Sequence, residues 1–451
     1  MRLSLKKLTE DGLGARAARG TAFMVLKYGG ASATRLISNL ILTRLLFPEA
    51  FGLMALVQVV IAAAAMFSDF GIRDAVIQDK RGSEKIFQET AWTFQVLRGL
   101  VLAAFIYMLA PSIASFFEEP RLESMLRYCA VIPIFQGFNS IGMHAANRIL
   151  SLGRLTAMTL LAQLLGVIVT ICLSYYLKSV WALVYGAMIG TFITTVLSHV
   201  MLPGRARLGI FEWDSARRLF GYGKYIFLAT LATFFVNQGD KLVLGKFISL
   251  ENLAIYNIGF FLAAVPLLIA NAINDRVIFV LHARIPPTES PENKAKIDKA
   301  RWYFTGALLV FIGSFAFIGD WLVSFLYDSR YHSAGPILIL IALATMPRLI
   351  LLSYEKLPLA FGKSNKYAAF KVGTAIAQFA LTWIGVQQFG LIGAIIAPAA
   401  TAIISYPFLL YMISPYNGWS PKHDVTYAAL TIATIVAVLA LHGTKFGALT
   451  G

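Results

Sequence analysis

The sequence predicts an all-α polytopic membrane protein: two pseudo-symmetric six-helix lobes around a central cavity, with at least one extra C-terminal helix. Three observations carry this expectation. Of 451 residues, 58% are hydrophobic and only 14% charged, against about 25% charged in an ordinary soluble protein. The apolar residues gather into runs of about 20 or more, the length needed to cross a hydrocarbon core. The two halves of the chain also carry matching motifs. Two cysteines, Cys129 and Cys172, cannot supply a disulfide framework, and the same composition excludes a disordered or collagen-like chain.

Taken in order, residues 1–19 form a cytoplasmic amphipathic N-terminus. There Arg2, Lys6, Lys7, Arg16 and Arg19 are interleaved with Leu3, Leu5, Leu8 and Leu13, a pattern that suits a short helix lying on the inner leaflet. The apolar run after it is long and carries charges, unlike a cleaved signal. An N-lobe over 20–202 holds six spans, at 20–46, 51–71, 90–117, 124–146, 155–177 and 180–202. A cytoplasmic interlobe connector occupies 203–221. The C-lobe over 222–414 holds six more, at 222–248, 252–280, 302–326, 334–359, 364–386 and 390–414, and an extra span follows at 424–443. No soluble domain is expected among them.

Net charge sets the topology. Thirty-nine Lys and Arg against 23 Asp and Glu give +16, which in a soluble chain would point to nucleic acid. Here the basic residues sort by side. The N-terminus and every second connector hold most of them, including Arg73, Lys80, Arg81, Arg205, Arg207, Arg217, Arg218, Lys294, Lys296 and Lys299, whereas the alternate connectors hold few. By the positive-inside rule the N-terminus is cytoplasmic and, with thirteen spans, the C-terminus lies outside. No nucleic-acid partner is implied.

Motifs of soluble enzymes fail. Gly362-Lys363-Ser364 has the tail of a phosphate-binding loop, but Leu357 stands where the loop glycine is needed, so the backbone cradle is missing. His144, His199, His282, His332, His423 and His442 are scattered without HExxH or CxxC, which leaves a metal site without support. No cofactor is expected. Gly186 and Gly190 form a GxxxG whose default role is helix packing.

An even number of spans separates the first from the seventh, so a repeat at that distance runs parallel rather than inverted. Leu42-Thr43-Arg44-Leu45-Leu46-Phe47-Pro48-Glu49 aligns with Leu244-Gly245-Lys246-Phe247-Ile248-Ser249-Leu250-Glu251. Ser115-Phe116 with Glu119 and Arg121 aligns with Ser324-Phe325, Asp328 and Arg330. Two lobes of this kind suit an alternating-access transporter, and function turns on what faces the cavity.

Basic residues inside spans cost about 2.5–3.5 kcal/mol each at mid-bilayer on insertion scales and need partners, water or ligand. Arg127 and Arg276 sit near span ends and can snorkel. Lys27, Arg35, Arg98, Arg348 and Lys371 are the candidate substrate-binding cations. At about 100° per residue, Lys27, Ala31, Thr34, Arg35 and Ser38 share one helix face. Asn237, Asp240 and Lys241 do the same on span seven. Thr34, Ser38, Asn139, Asn237, Lys241 and Gln378 are candidate polar cavity residues, their structural alternative being interhelical hydrogen bonds. Asp240 and Glu355, the acids well inside spans, are candidates for ion coupling or for pairing, Asp240 with Lys241 or a base on a neighbouring helix, and Glu355 with Arg348 or Lys356. Surplus intramembrane positive charge points to an anionic substrate.

Ile41 to Leu53, ILTRLLFPEAFGL, then Phe67-Ser68-Asp69-Phe70-Gly71 and Ala75-Val76-Ile77-Gln78, resembles the opening of bacterial polysaccharide exporters of the O-antigen flippase and colanic-acid exporter type. Asn237 to Gly245, NQGDKLVLG, followed by Leu253-Ala254-Ile255-Tyr256-Asn257, is similar to the same family's seventh and eighth spans. The resemblance is clear over spans one, two, seven and eight. It implies a multidrug/oligosaccharidyl-lipid/polysaccharide-type fold in the bacterial inner membrane, without enzymatic activity, flipping an undecaprenyl-pyrophosphate-linked oligosaccharide for O-antigen or exopolysaccharide synthesis. A coupling ion, proton or sodium, is compatible with it, as are a polysaccharide polymerase and glycosyltransferases as partners. Ala254 departs from the family's frequent glycine, and thirteen spans from its twelve or fourteen. A drug or metabolite antiporter of the same superfamily is the alternative, and a glycan polymerase, which needs a sizeable outer loop, is a weaker one.

Overall fold

The structure is a computed structural model that describes residues 13–68, 71–148, 152–202 and 206–446. Residues 1–12 of the expected amphipathic N-terminus lie outside the described residues. Among those described there is no β-strand, and nine helical stretches are long and apolar enough to cross a membrane. The chain is therefore an all-α, multi-pass membrane protein. It divides into two compact units, Met1–Leu231 and Ala232–Gly451.

The first unit contains α1 (Leu13–Leu45), α2 (Pro48–Phe67), α3 (Ile72–Gln78), α4 (Lys85–Phe116), α5 (Arg121–Cys129), α6 (Val131–Gly137), α7 (Gly142–Arg148), α8 (Leu152–Leu177), α9 (Trp181–Met201) and the first part of α10 (Trp213–Phe247). Several helices outrun the expected spans. The extra turns, such as 85–89 and 213–221, are polar, and apolar counting stops where they begin although the backbone does not. Pro48 opens α2 at its first helical position after an extended Phe47, where its missing N–H costs nothing. The GxxxG of α9 packs as expected: a Cβ on Gly186 would come within 2.3 Å of Thr170 Oγ1 on α8, and one on Gly166 within 3.2 Å of the Gly190 Cα.

The expected fourth span, 124–146, is instead broken into α5, α6 and α7. A break leaves backbone carbonyls that lipid cannot satisfy, so such backbone must be buried in protein. Here the neighbours supply the donors. Trp92 Nε1 donates to the Asn139 carbonyl and Gln95 Nε2 to those of Gly137 and Asn139, while Ser140 N donates to Ser198 Oγ. Close approach makes this reach short enough: a Cβ on Gly99 would lie 2.5 Å from the Pro133 carbonyl oxygen.

The second unit holds the rest of α10, then α11 (Leu250–Ile273), a π-helical turn (Asn274–Ile278), α12 (Phe279–Arg284), α13 (Pro291–Leu326), α14 (Ala334–Leu352), α15 (Leu357–Ala360), α16 (Ser364–Ile413) and α17 (Pro421–Phe446). Ser249 and Ser290 cap α11 and α13 by accepting from the amides of Asn252 and Asn293. α14 is buried along nearly its whole length and packs against α11, α13, α16 and α17. α16 is two helices joined at Gly390, whose φ of 58° and ψ of −139° favour glycine. Expected spans eleven and twelve are these two halves.

The repeat is visible in local structure. Under its 202-residue offset the ends of α1 and α2 at Leu45 and Pro48 fall on those of α10 and α11 at Phe247 and Leu250. The second motif forms the same clamp twice. Glu119 Oε1 accepts from the backbone N and Nε of Arg121 at 3.1 and 2.8 Å, and Asp328 Oδ1 from those of Arg330 at 3.0 and 3.2 Å.

Candidate functional site

Four of the candidate residues meet in one cavity of the second unit. α14 contributes Arg348 and Leu351, and the turn after it contributes Glu355. The first half of α16 presents Phe370, Lys371, Thr374 and Gln378, spaced along one helical face. Its second half returns with Pro398, Thr401, Ala402 and Ser405 at the same spacing, and α10 adds Val236. Helical periodicity explains both stripes, since residues three, four and seven apart share a face. The Gly390 turn folds the two halves back on each other: Gly385 and Gly393 pack with no room for a side chain between them. The enclosed volume is about 50 Å³.

Its charges are arranged asymmetrically. Lys371 Nζ donates to Glu355 Oε2 at 2.9 Å, with Glu355 only 5% exposed. Arg348 makes no hydrogen bond or ion pair with a described residue. Two cations thus face one carboxylate. Glu355 pairs with neither Arg348 nor Lys356, the partners expected from sequence proximity, because Lys356 turns to Asp275 while α16 brings Lys371 alongside. Thr374 and Thr401 return their hydroxyl protons to carbonyls of their own helices, which leaves the hydroxyl oxygens able to accept. The cavity offers two cationic donors, an amide and hydroxyls, a set that suits phosphate oxygens.

On α10 and α11, Asp240 Oδ2 accepts from Tyr256 Oη at 2.5 Å, while its buried Oδ1 has no hydrogen-bond partner among the described residues. Lys241 does not form the expected ion pair with Asp240; its Nζ lies 5.3 Å from the centroid of the Phe260 ring. Asn237 is exposed on the same helix.

In the first unit the α1 residues separate. Ser38 is buried, Thr34 Oγ1 donates to the Gly30 carbonyl at 2.8 Å, and Arg35 is exposed with no hydrogen-bond or ion-pair partner among the described residues. The Lys27 side chain lies outside the described residues. Asn139 accepts from Thr195 Oγ1 at 2.9 Å, an interhelical bond at the break in the fourth span. Arg98, on α4, donates to Ser68 Oγ at 2.8 Å and to the Ala65 carbonyl, beside a separate cavity of about 220 Å³.

Sequence reading missed a buried polar hub at the start of α17. Asp424 accepts from Tyr354, Tyr406, Trp419 and His423, and His423 Nε2 meets Thr305 Oγ1 at 3.0 Å. His423 is fully buried, so this cluster ties α17 to α13, the 353–356 turn and α16. Only the adjacent His423-Asp424 pair after Pro421 could have signalled it. Among the described residues no group of three metal-ligating side chains converges.

Comparison with known proteins adds three findings. Residues 41–336 match the model of a family described as polysaccharide biosynthesis protein. Among curated relatives, the lipopolysaccharide biosynthesis protein WzxC of Escherichia coli (strain K12) is 23% identical over 411 residues, covering 86% of this chain and 79% of its own. The probable low-salt glycan biosynthesis flippase Agl15 of Haloferax volcanii is 21% identical, with 81% and 76% covered. Among solved structures, the lipid II flippase MurJ in an inward closed conformation superposes with a TM-score of 0.73 at 14% identity, covering 94% of this chain and 93% of that one. That likeness shows the fold.

Proposed function

This chain belongs to the polysaccharide biosynthesis protein family, and from that premise we propose that it is a flippase carrying lipid-linked oligosaccharide units across the membrane for polysaccharide biosynthesis. The carrier is undecaprenyl pyrophosphate, the membrane is the bacterial inner membrane, and the N-terminus is cytoplasmic, as the distribution of Lys and Arg supports. The chain is a transporter and makes or breaks no covalent bond.

The observation that carries this reading is the cavity of Arg348, Lys371, Glu355 and Gln378 inside a membrane-spanning unit. A pyrophosphate crossing the hydrocarbon region unpaired would be prohibitive, so the route must supply positive charge. Arg348 does so with a planar fork matched to phosphate oxygens, and Lys371 does so while balancing Glu355. A volume of about 50 Å³ is too small for an oligosaccharide, so the sugar passes in another conformation, which is what alternating access provides. Lys27, Arg35 and Arg98 supply the corresponding charge from the first unit, with Thr34, Ser38 and Asn139 as its polar lining, while Asn237 and Lys241 are polar lining of the second unit. Asp240, with one carboxylate oxygen buried and without a hydrogen-bond partner among the described residues, and Glu355 are the groups that bind a coupling proton or sodium ion.

The test is Arg348→Ala in cells that depend on this protein for glycan export. Export is expected to fail with protein level and insertion normal, and Arg348→Lys to restore part of it because charge survives without the fork. Full export by Arg348→Ala at normal expression would remove the cavity from the mechanism.

A further inference from the structure

α11 runs without a break through the π-helical turn Asn274–Ile278 into α12, and Ala270, Asn274, Ile278 and His282 are buried along it at steps of four. In an unbroken α-helix each such step drifts about 40° round the axis, so His282 would stand about 80° from Asn274 and leave the buried face. A π turn takes up one residue more than an α turn, which turns everything after it back by about 100°. His282 thereby returns to the face of Asn274.

That placement is costly. Asn274 and His282 are each 1% exposed, yet neither the side-chain amide of Asn274 nor either ring nitrogen of His282 has a hydrogen-bond partner among the described residues. His282 lies within the field of Arg301 on α13, which is itself fully buried. Arg301 Nη1 donates to Asp298 Oδ1 at 2.8 Å and to the Gly418 carbonyl at 3.0 Å, and its Cζ lies 4.0 Å from the centre of the Tyr354 ring. Its Nε and Nη2 have no hydrogen-bond partner among the described residues. Six buried polar atoms on three side chains thus carry the penalty of leaving water without a bond to offset it. The neighbouring positions on α12 are the reverse of what burial favours: Ala283 is exposed and Leu281 is only half-buried.

We propose that the π turn is a switch between two registers of α12. In the second register residues 274–278 wind as α-helix and α12 turns by about 100°, so that Leu281 takes the buried place of His282 and His282 the exposed place of Ala283, where water satisfies its ring. The connector over 285–290 is not helical and absorbs the displacement. The proposal rests on the flippase reading and deepens it by giving alternating access a moving part tied to the cavity. Asp275 in the π turn pairs with Lys356, and Lys356 follows Glu355, the carboxylate that holds Lys371. A change of partners in the cavity therefore reaches the π turn through one turn of chain.

The experiment is carbethoxylation of the full chain in nanodiscs by diethyl pyrocarbonate, each histidine being followed against time by mass spectrometry. Exposed His332 and buried His423 are the fast and slow references. With the second register a minor state of about 0.1–10%, His282 should react at about that fraction of the His332 rate and well above His423. Deleting Val277 leaves the turn no residue to spare, so the shortened segment winds as α-helix with His282 kept in its present place. Its reaction should fall to the His423 level. Leu281→Gln keeps the chain length but disfavours burial of position 281, so it should have the same effect and covers a failure of the deletion variant to fold. A His282 no faster than His423 in the wild type, or equally reactive in whichever of the two variants fold, would overturn the proposal. So would a His282 as fast as His332, since the imidazole would then be outside the core already. Translocation of a glycan-bearing lipid, measured on the same preparations, separates the two ideas. Normal translocation by the folded deletion variant sinks the switch alone, and the expected histidine reactivities in a protein that moves no lipid sink the flippase reading alone.

Discussion

Replacing Lys371 by Met leaves the Glu355 carboxylate, 5% exposed, without the ammonium that now sits 2.9 Å away. Breaking a buried pair from one side costs about 3–5 kcal/mol, because the survivor keeps its desolvation penalty and loses its compensation. The reverse deletion, Glu355→Gln, is milder: the Lys371 side chain is 30% exposed and its stem can carry the ammonium toward water. Removing both charges takes away penalty and compensation together, so Lys371→Met with Glu355→Gln recovers most of the loss. At about 2–4 °C per kcal/mol for a unit of this size, the single variant should melt roughly 6–20 °C below wild type and the double variant within a few degrees of it. Thermal unfolding of all four proteins in nanodiscs gives the coupling as a double-mutant cycle. A Lys371→Met protein as stable as wild type, or a double variant no better than the single, would show that the pair contributes nothing and refute the reasoning.

Other positions give sharp outcomes too. Arg35→Ala should abolish complementation of glycan export at normal protein level, with Arg35→Lys partly active; full export by the alanine variant removes Arg35 from the route. Asp240→Asn should stay folded and inserted yet lose gradient-driven transport, and unchanged ion-driven flipping in Asp240→Asn combined with Glu355→Gln would exclude both acids from coupling. Arg121 and Arg330 hold the carboxyls of Glu119 and Asp328 below their ordinary values of 4.5 and 3.8 through direct hydrogen bonds. A lowered folded-state value contributes stability above the ordinary range and loses it as pH falls through the lowered one. Spin labels at Glu118 and Ser329 should therefore report unchanged loop mobility from neutral pH down to the ordinary carboxylate range and a rise only below it; a rise already at pH 6 would contradict the clamps.

Hydropathy and the repeat made the architecture legible, because burial in lipid imposes long apolar runs and a duplicated lobe must end its helices at equivalent places. The repeat aligned Glu119 and Arg121 with Asp328 and Arg330, and that each pair closes into a clamp is seen only in the structure. The break in the fourth span was not legible. Its hydrogen-bond partners are Trp92 and Gln95, which donate to it, and Ser198, which accepts from it, and no local signal in 124–146 names partners that far away in sequence. Arg348, Lys371 and Gln378 were each legible as costly intramembrane polar groups, but their meeting depends on the turn at Gly390 and on which faces of α14 and α16 pack together. Helix-face arithmetic placed Thr34, Arg35 and Ser38 on one stripe, and packing split it, burying Ser38 and leaving Arg35 exposed. Proximity in sequence also misled the pairing of Glu355, since the turn after α14 carries Lys356 away toward Asp275.

The most direct measurement of the central claim is transbilayer movement of a fluorescent oligosaccharide on a polyprenyl pyrophosphate, in liposomes containing only this protein, with a membrane-impermeant quencher reporting the outward fraction. The account predicts that outward movement scales with the number of protein copies per vesicle, is absent from protein-free vesicles, and returns to the protein-free level with Arg348→Ala. Movement no faster than in empty liposomes, from protein shown to be folded and with the ion gradient imposed in either direction, would contradict it.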